Sequence, residues 1–283
     1  MKVVIAGANG LIGKALSAAL KARGDQAVEL VRPQWDGRTL APSVVEGADA
    51  VVNLAGAGVG GRRWTPAYKQ QILDSRVFAT RAVVEAIRAA ARNPRVLVNA
   101  SAVGFYGGRG DEVLDEGASA GADFLAGVVK AWEAEAQKAE VRSAQARTGV
   151  VLSETGGALE KMLPPFKAFV GGPIGSGKQW FPWIHLVDEV AAILWIIDHE
   201  QLSGPVNLVA PGIVNMKDFS IALGRALHRP SWASVPALPL KLLLGEFAGV
   251  LLEGQRAVPK KLLNSGFQFR FRDIDAALHE LFG

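Results

Sequence analysis

Val3-Val4-Ile5-Ala6-Gly7-Ala8-Asn9-Gly10-Leu11-Ile12-Gly13-Lys14 is a short apolar run that enters a glycine cluster and leaves it in helix-forming residues. It reads as strand, turn and helix: Val3 to Ala6 extended, then Leu11 to Ala22 helical, with Gly24 as the stop. The glycines are spaced GxxGxxG. Glycines at such a turn permit a sharp reversal and let backbone N–H groups approach a pyrophosphate at the helix N-terminus. An empty βα turn would also carry glycine, but a strand before it and a helix after it favour a dinucleotide site.

Outward from this turn the alternation of strand and helix continues. Ala27 to Val31 and Ala50 to Leu54 read as further strands, and Thr65-Pro66 is an N-cap with proline at the first helical position. Apolar residues at helical spacing from Ile72 to Ile87 carry that helix toward Asn93-Pro94. Arg95 to Ala100 then reads as a strand, Asp123 to Ala139 as a helix and Ser143 to Leu152 as a strand. The expected fold is α/β, a Rossmann-type doubly wound parallel sheet. Beyond Ser153 the texture becomes glycine- and proline-rich, as expected of segments that cover a site. A helix from Leu186 to Asp198 and a strand from Pro205 to Val209 return to the sheet. The division is therefore residues 1–152 with 186–210 as dinucleotide-binding domain, and 153–185 with 211–283 as a smaller substrate-covering unit. Phe267, Phe269 and Phe271 alternate with polar residues before Asp273 caps a closing helix.

Composition excludes several classes. The 283 residues carry 31 Lys+Arg against 27 Asp+Glu, a net +4 that makes too weak a field to demand nucleic acid. With no cysteine, disulfides, thiolate nucleophiles and iron–sulfur clusters drop out, and a cytoplasmic, reducing setting is expected. The most apolar later stretch, Ala237 to Leu252, is broken by Lys241 and Glu246, so no membrane span is expected. No metal centre is expected from four scattered histidines.

The tip of the second strand distinguishes cofactors, because an acidic residue there takes ribose hydroxyls whereas arginine accommodates a 2′-phosphate. Arg32 stands at that tip, and the acidic alternative, Glu29, lies inside the strand. NADP(H) is thus expected in preference to NAD(H), with NAD(H) still possible.

Together with Asn53-Leu54-Ala55-Gly56 and the stretch Ser101 to Gly107, the amino-terminal turn resembles the extended short-chain dehydrogenase/reductase superfamily. Arg63-Trp64, Asp74-Ser75-Arg76, Arg147 to Leu152 and Gly171 to His185 resemble its nucleoside-diphosphate-sugar epimerase-like branch, the epimerase family proteins. Leu252 to Pro259 and Gly266-Phe267 resemble that branch's terminal domain. The resemblance implies that Gly7, Asn9, Gly10, Leu11, Ile12 and Gly13 meet the pyrophosphate and that Arg32 meets the 2′-phosphate. It further implies that Leu54, Ala55, Gly56, Arg76 and Val151 lie along the cofactor, with Ser101 beside the nicotinamide.

One part of the superfamily's machinery is missing. Its oxidoreductases use a Tyr-x-x-x-Lys pair, in which lysine lowers the tyrosine pKa so that the phenol moves a proton while the nicotinamide moves hydride. Only two tyrosines exist here, Tyr68 and Tyr106, and the residues four beyond them are Ile72 and Gly110. Lys130 lies in the appropriate helix, but Ala126 stands four before it. Ser101 and Tyr106 remain as candidate catalytic hydroxyls, with Tyr106 alternatively a packed wall residue.

Rival motifs are weaker. Gly172 to Lys178 approaches the phosphate-loop pattern but ends in Gln179 where Ser or Thr would hold magnesium. Ser101, His185 and Asp188 could be nominated as a hydrolase triad, yet no G-x-S-x-G elbow surrounds Ser101. The expected partner is a small molecule, bound in a cleft walled by Gly171 to His185 and parts of Trp232 to Gln255. Trp180, Phe181 and Trp183 would make that cleft suit an apolar or planar ligand. Two functions follow: an atypical NADP(H)-dependent oxidoreductase or epimerase-like enzyme, or a non-catalytic NADPH-binding sensor or scaffold.

Overall fold

The computed structural model describes residues 1–31, 35–60 and 62–283. Arg32, on which the NADP(H) preference was read, lies outside them. Six strands form one parallel sheet: β1 (Lys2–Ala6), β2 (Gln26–Leu30), β3 (Ala50–Asn53), β4 (Val96–Ala102), β5 (Arg142–Thr148) and β6 (Gly204–Leu208). Their order is β6-β5-β4-β3-β1-β2. The chain therefore leaves β1 to one side for β2 and resumes on the other side with β3. That reversal opens a crevice at the carboxyl ends of β1 and β3, where open α/β sheets bind ligands.

Alternation along the strands fills both faces, as a parallel sheet requires. Val3 and Ile5 pack with α1 (Leu11–Ala22) through Leu16 and Leu20, and the same core takes in Ile193 and Ile196 of a later helix, α4 (Leu186–Asp198). Val4 and Ala6 turn the other way, toward Val83 and Ile87 of α2 (Pro66–Ala89). Beside α2 packs α3 (Phe124–Ala136). The start of α2 follows from local chemistry: the Thr65 hydroxyl accepts from the Tyr68 amide at 3.2 Å, and Pro66 needs no donor there.

The expected single strand Ser143 to Leu152 is instead two. The backbone turns at Gly149, where a Cβ would come within 2.5 Å of the Pro182 carbonyl oxygen. Residues Val150–Leu152 then leave the main sheet and pair in parallel with Trp183–His185. That pairing seeds a second core of Leu152, Leu159, Phe166, Phe181, Trp183, Phe219, Phe271 and Leu278.

The alternating phenylalanines join the two cores without forming a ladder. Phe267 and Phe269 enter the sheet core while Phe271 enters the second one. The Arg270 and Phe271 amides donate to the two oxygens of Asp188 at 2.8 and 2.9 Å. His185 reinforces this clasp: its Nδ1 accepts from the Val187 amide, so Nε2 donates to Glu280 at 3.1 Å, and its ring lies 4.1 Å from that of Phe271. His185 and Asp188 thus fasten the carboxy-terminal segment, and the nominated triad with Ser101 is not assembled. Gly172 to Lys178 is likewise no phosphate loop, since Gly171 and Ile174 bridge to Ser231 and Val235 and no helix follows.

Candidate functional site

The glycine turn is shaped by close backbone approach. Gly7 has φ +83°, and a Cβ there would meet the Leu54 carbonyl carbon at 2.9 Å; one on Gly13 would meet the Gly7 oxygen at 2.5 Å. Gly10 caps α1 without a side-chain hydrogen bond, so the first-turn N–H groups of Leu11 and Ile12 have no capping side chain. A helix N-terminus in this state offers free donors and positive potential to an anion.

Across the crevice, Leu54-Ala55-Gly56 runs on from β3. The Leu54 amide donates to Ala6 and the Ala55 amide to the Asn53 side chain. Two residues of α2 hold the next turn, with Ser75 accepting from the Ala57 amide at 3.0 Å and Arg76 donating to the Ala57 oxygen at 2.9 Å. Arg76 also donates to Ile72 and lies 5.0 Å from the Trp132 ring centroid. Among the described residues no carboxylate pairs with this guanidinium. Burial alone pulls it down to about 10, with only a weak opposing effect from Tyr68. Gly56 lies directly against it, since a Cβ there would stand 3.2 Å from Arg76 Cγ. The crevice thus brings together Gly7, Gly10, Gly13, Leu54, Ala55, Gly56 and Arg76, and Val151 lies near it through Gly157, which also borders Leu11.

Beneath the tip of β4 lies a buried polar chain. Ser101, 5% exposed, donates to Glu133 Oε1 at 2.6 Å. Arg147 grips both oxygens of Glu133, at 2.8 and 2.9 Å, and donates to the Tyr106 hydroxyl at 3.0 Å. Burial works against the Arg147 charge, but Glu133 outweighs it and raises the guanidinium above its ordinary value. Tyr106 in turn donates to Asn207 at 2.7 Å. It is fully buried, and burial pushes its phenol up despite the lowering effect of Arg147. The catalytic expectation for Tyr106 therefore gives way to the packed alternative: its hydroxyl is committed on both sides and reaches no surface. Glu133, Asn207 and Glu116, which accepts from the Asn207 amide at 3.1 Å, were not singled out from the sequence.

At the tip of β5, Thr148 donates to Glu189 Oε1 at 2.8 Å, while Glu189 Oε2 is buried with no protein partner. Burial raises this carboxyl from 4.5 to about 8, with Thr148 acting weakly in the other direction. A folded-state value above the unfolded one gives a stabilisation fully present below pH 4.5 and lost as pH rises through about 8. Glu189→Gln is expected to match the wild type near pH 4.5 and to be more stable by roughly 4 kcal/mol at pH 8. Thermal melts at the two pH values check this, and an equal difference at both would contradict it.

A cavity of about 420 Å³ lies between the loop after Tyr106 and the later segments. Gly108, Gly110 and Asp111 line one side, and Ser176, Lys178 to Trp180 and Leu252 to Gly254 line the other. The aromatic trio divides here. Trp180 lines the cavity and donates from its indole to Asp111 at 2.8 Å, whereas Phe181 and Trp183 are core residues, 6% and 1% exposed. The expectation of an aromatic wall is corrected to a single tryptophan, because 181 and 183 share the inward side of an extended segment.

A parallel sheet with a glycine turn at its switch point defines a Rossmann-type protein. Comparison with known proteins places the chain more closely. Residues 3–124 match the NAD dependent epimerase/dehydratase family, and residues 235–281 match a domain of unknown function, DUF1731. An epimerase family protein of Mycobacterium bovis is 43% identical over 98% of this chain and 96% of its own length. The Bacillus subtilis epimerase family protein YfhF is 38% identical over 99% and 98%. The crystal structure of human epimerase family protein SDR39U1 (isoform 2) with NADPH superposes with a TM-score of 0.92 at 34% identity, covering 99% of both chains. The chain belongs to the epimerase family proteins. Among its described residues no helix is long and apolar enough to cross a membrane.

Proposed function

We propose that the protein binds NADP(H) in the crevice between β1 and β3 and receives a small molecule in the cavity beside the loop after Tyr106. The observation that carries this is Arg76, a half-buried guanidinium that pairs with no carboxylate among the described residues and packs against Gly56, in the same segment whose Leu54 and Ala55 backbone closes on Gly7. An anionic pyrophosphate would supply the missing counter-charge. The human relative crystallised with NADPH supports the choice of dinucleotide, as does arginine at position 32. In this reading Gly7, Asn9, Gly10, Leu11, Ile12, Gly13, Leu54, Ala55, Gly56 and Val151 line the cofactor, and Arg32 takes the 2′-phosphate. Bound nicotinamide would supply hydride transfer, which makes an oxidoreductase or epimerase-like activity the functional reading. Among the described residues Lys178 is the one cation lining the cavity, against Asp111 and Glu253, a set better suited to a neutral ligand than to a sugar diphosphate.

A second reading, a non-catalytic NADPH sensor or scaffold, is favoured by the state of the two candidate hydroxyls. Tyr106 is sealed, and the Ser101 hydroxyl donates its hydrogen bond to Glu133. Titration of tryptophan fluorescence tests the common ground: NADPH should bind more tightly than NADH, and Arg32→Asp should remove that preference. Arg76→Met should weaken both dinucleotides by about tenfold, the loss of one charge-assisted hydrogen bond. Equal binding of NADPH and NADH by the wild type would contradict the cofactor choice. Turnover of any carbonyl substrate that survives both Ser101→Ala and Tyr106→Phe would show that neither hydroxyl is the acid.

A further inference from the structure

Ser101 is the penultimate residue of β4, on the opposite side of the switch point from β2. A dinucleotide with its pyrophosphate on α1 spans the crevice, sending one nucleoside toward β2 and the other toward β4. With the adenosine at Arg32, the nicotinamide half lies over the tip that carries Ser101. A serine hydroxyl has one proton and two lone pairs. Here the proton goes to Glu133 at 2.6 Å, and Arg147 holds that carboxylate in a two-pronged grip. A carboxylate so held only accepts, so turning the Ser101 proton outward would set lone pair against lone pair in a buried place.

We propose that Glu133 is a positioning residue that fixes Ser101 as a hydrogen-bond acceptor toward the ligand, and that Ser101 takes a proton donor from the nicotinamide carboxamide. The inference rests on the NADP(H) reading above. Its chemical consequence is polarity: Ser101 prefers an N–H facing it and gives no hydrogen bond to a carbonyl oxygen. Serine in this state recognises the cofactor instead of activating a substrate carbonyl.

The test compares NADPH with its 3-acetylpyridine analogue, in which a methyl group replaces the carboxamide nitrogen. Wild-type protein should prefer NADPH by about tenfold, the worth of one hydrogen bond. Ser101→Ala should bring the ratio near one, and Ser101→Thr should keep it. Glu133→Gln, whose amide can donate to Ser101 and free its proton, should also lower the ratio. Ser101→Ala gives a reading even if Glu133→Gln fails to fold. An unchanged ratio in Ser101→Ala, an equal weakening of both ligands, or no preference in the wild type would overturn the proposal. Failure of the wild type to bind either dinucleotide would overturn the NADP(H) reading itself, and it is read from the affinities rather than from their ratio.

Discussion

Gly7→Ala is expected to reduce NADPH affinity by about 100-fold, the result of forcing a side chain where the backbone has no room. Gly7 lies at φ +83°, which disfavours any L side chain by roughly 1–2 kcal/mol. The added Cβ would also sit 2.9 Å from the Leu54 carbonyl carbon and 3.0 Å from the Ala55 nitrogen. Those atoms belong to the backbone of the opposite wall, so relief requires the crevice to widen. Gly24→Ala is the matched control: its φ is +81°, yet nothing lies within 4 Å of the added atom. It should share the conformational cost and leave the affinity unchanged. Comparable loss of binding in both variants would mean that the effect is one of general stability and not of the crevice.

Glu133→Ala should destabilise the fold by roughly 3–5 kcal/mol, because it leaves the Arg147 charge buried and unpaired. Arg147 is 3% exposed and loses two hydrogen bonds at once. The Ser101 proton loses its acceptor in the same step. A double variant, Glu133→Leu with Arg147→Met, should recover most of the loss, since replacing both charges removes the desolvation problem along with the attraction. Urea denaturation of the two single variants and the double variant checks this. A double variant no more stable than either single one would show that the pair stabilises the fold for reasons other than mutual neutralisation.

Local chemistry made the first turn readable. The spacing of Gly7, Gly10 and Gly13 between a β-rich run and a helix is a property of twelve consecutive residues, and the same holds for the Thr65-Pro66 cap and for Asp273, which accepts from the Ala276 amide. Neither the partner of Ser101 nor the fate of Tyr106 is local. Ser101 meets Glu133 across 32 positions because β4 and β5 set Ser101 beside Arg147 and α3 turns Glu133 down onto both. No motif announces that. The aromatic trio misled for a related reason: a glycine-rich setting suggests a surface, whereas Val150–Leu152 pairs with Trp183–His185 and draws 181 and 183 inward. The two-residue spacing of Phe181 and Trp183, with Trp180 on the other side, was the available signal.

The carboxy-terminal segment shows the same limit. Alternation of Phe267, Phe269 and Phe271 correctly marked buried residues, but the ladder partner such a pattern suggests is replaced by Asp188. A side chain 82 positions away supplies the acceptors a neighbouring strand would have offered. Periodicity reports which side chains go inward, and it leaves open what satisfies the backbone between them.

Arg76 and the glycine turn are expected to act on one phosphate group, and a crystal structure of the protein with NADPH tests this directly. The pyrophosphate is expected over the Leu11 and Ile12 amides, with the Arg76 guanidinium within hydrogen-bond distance of the cofactor and the nicotinamide over the tip of β4. A dinucleotide bound elsewhere, or a pyrophosphate on the turn with Arg76 still turned wholly to the Ala57 and Ile72 carbonyls, would contradict it.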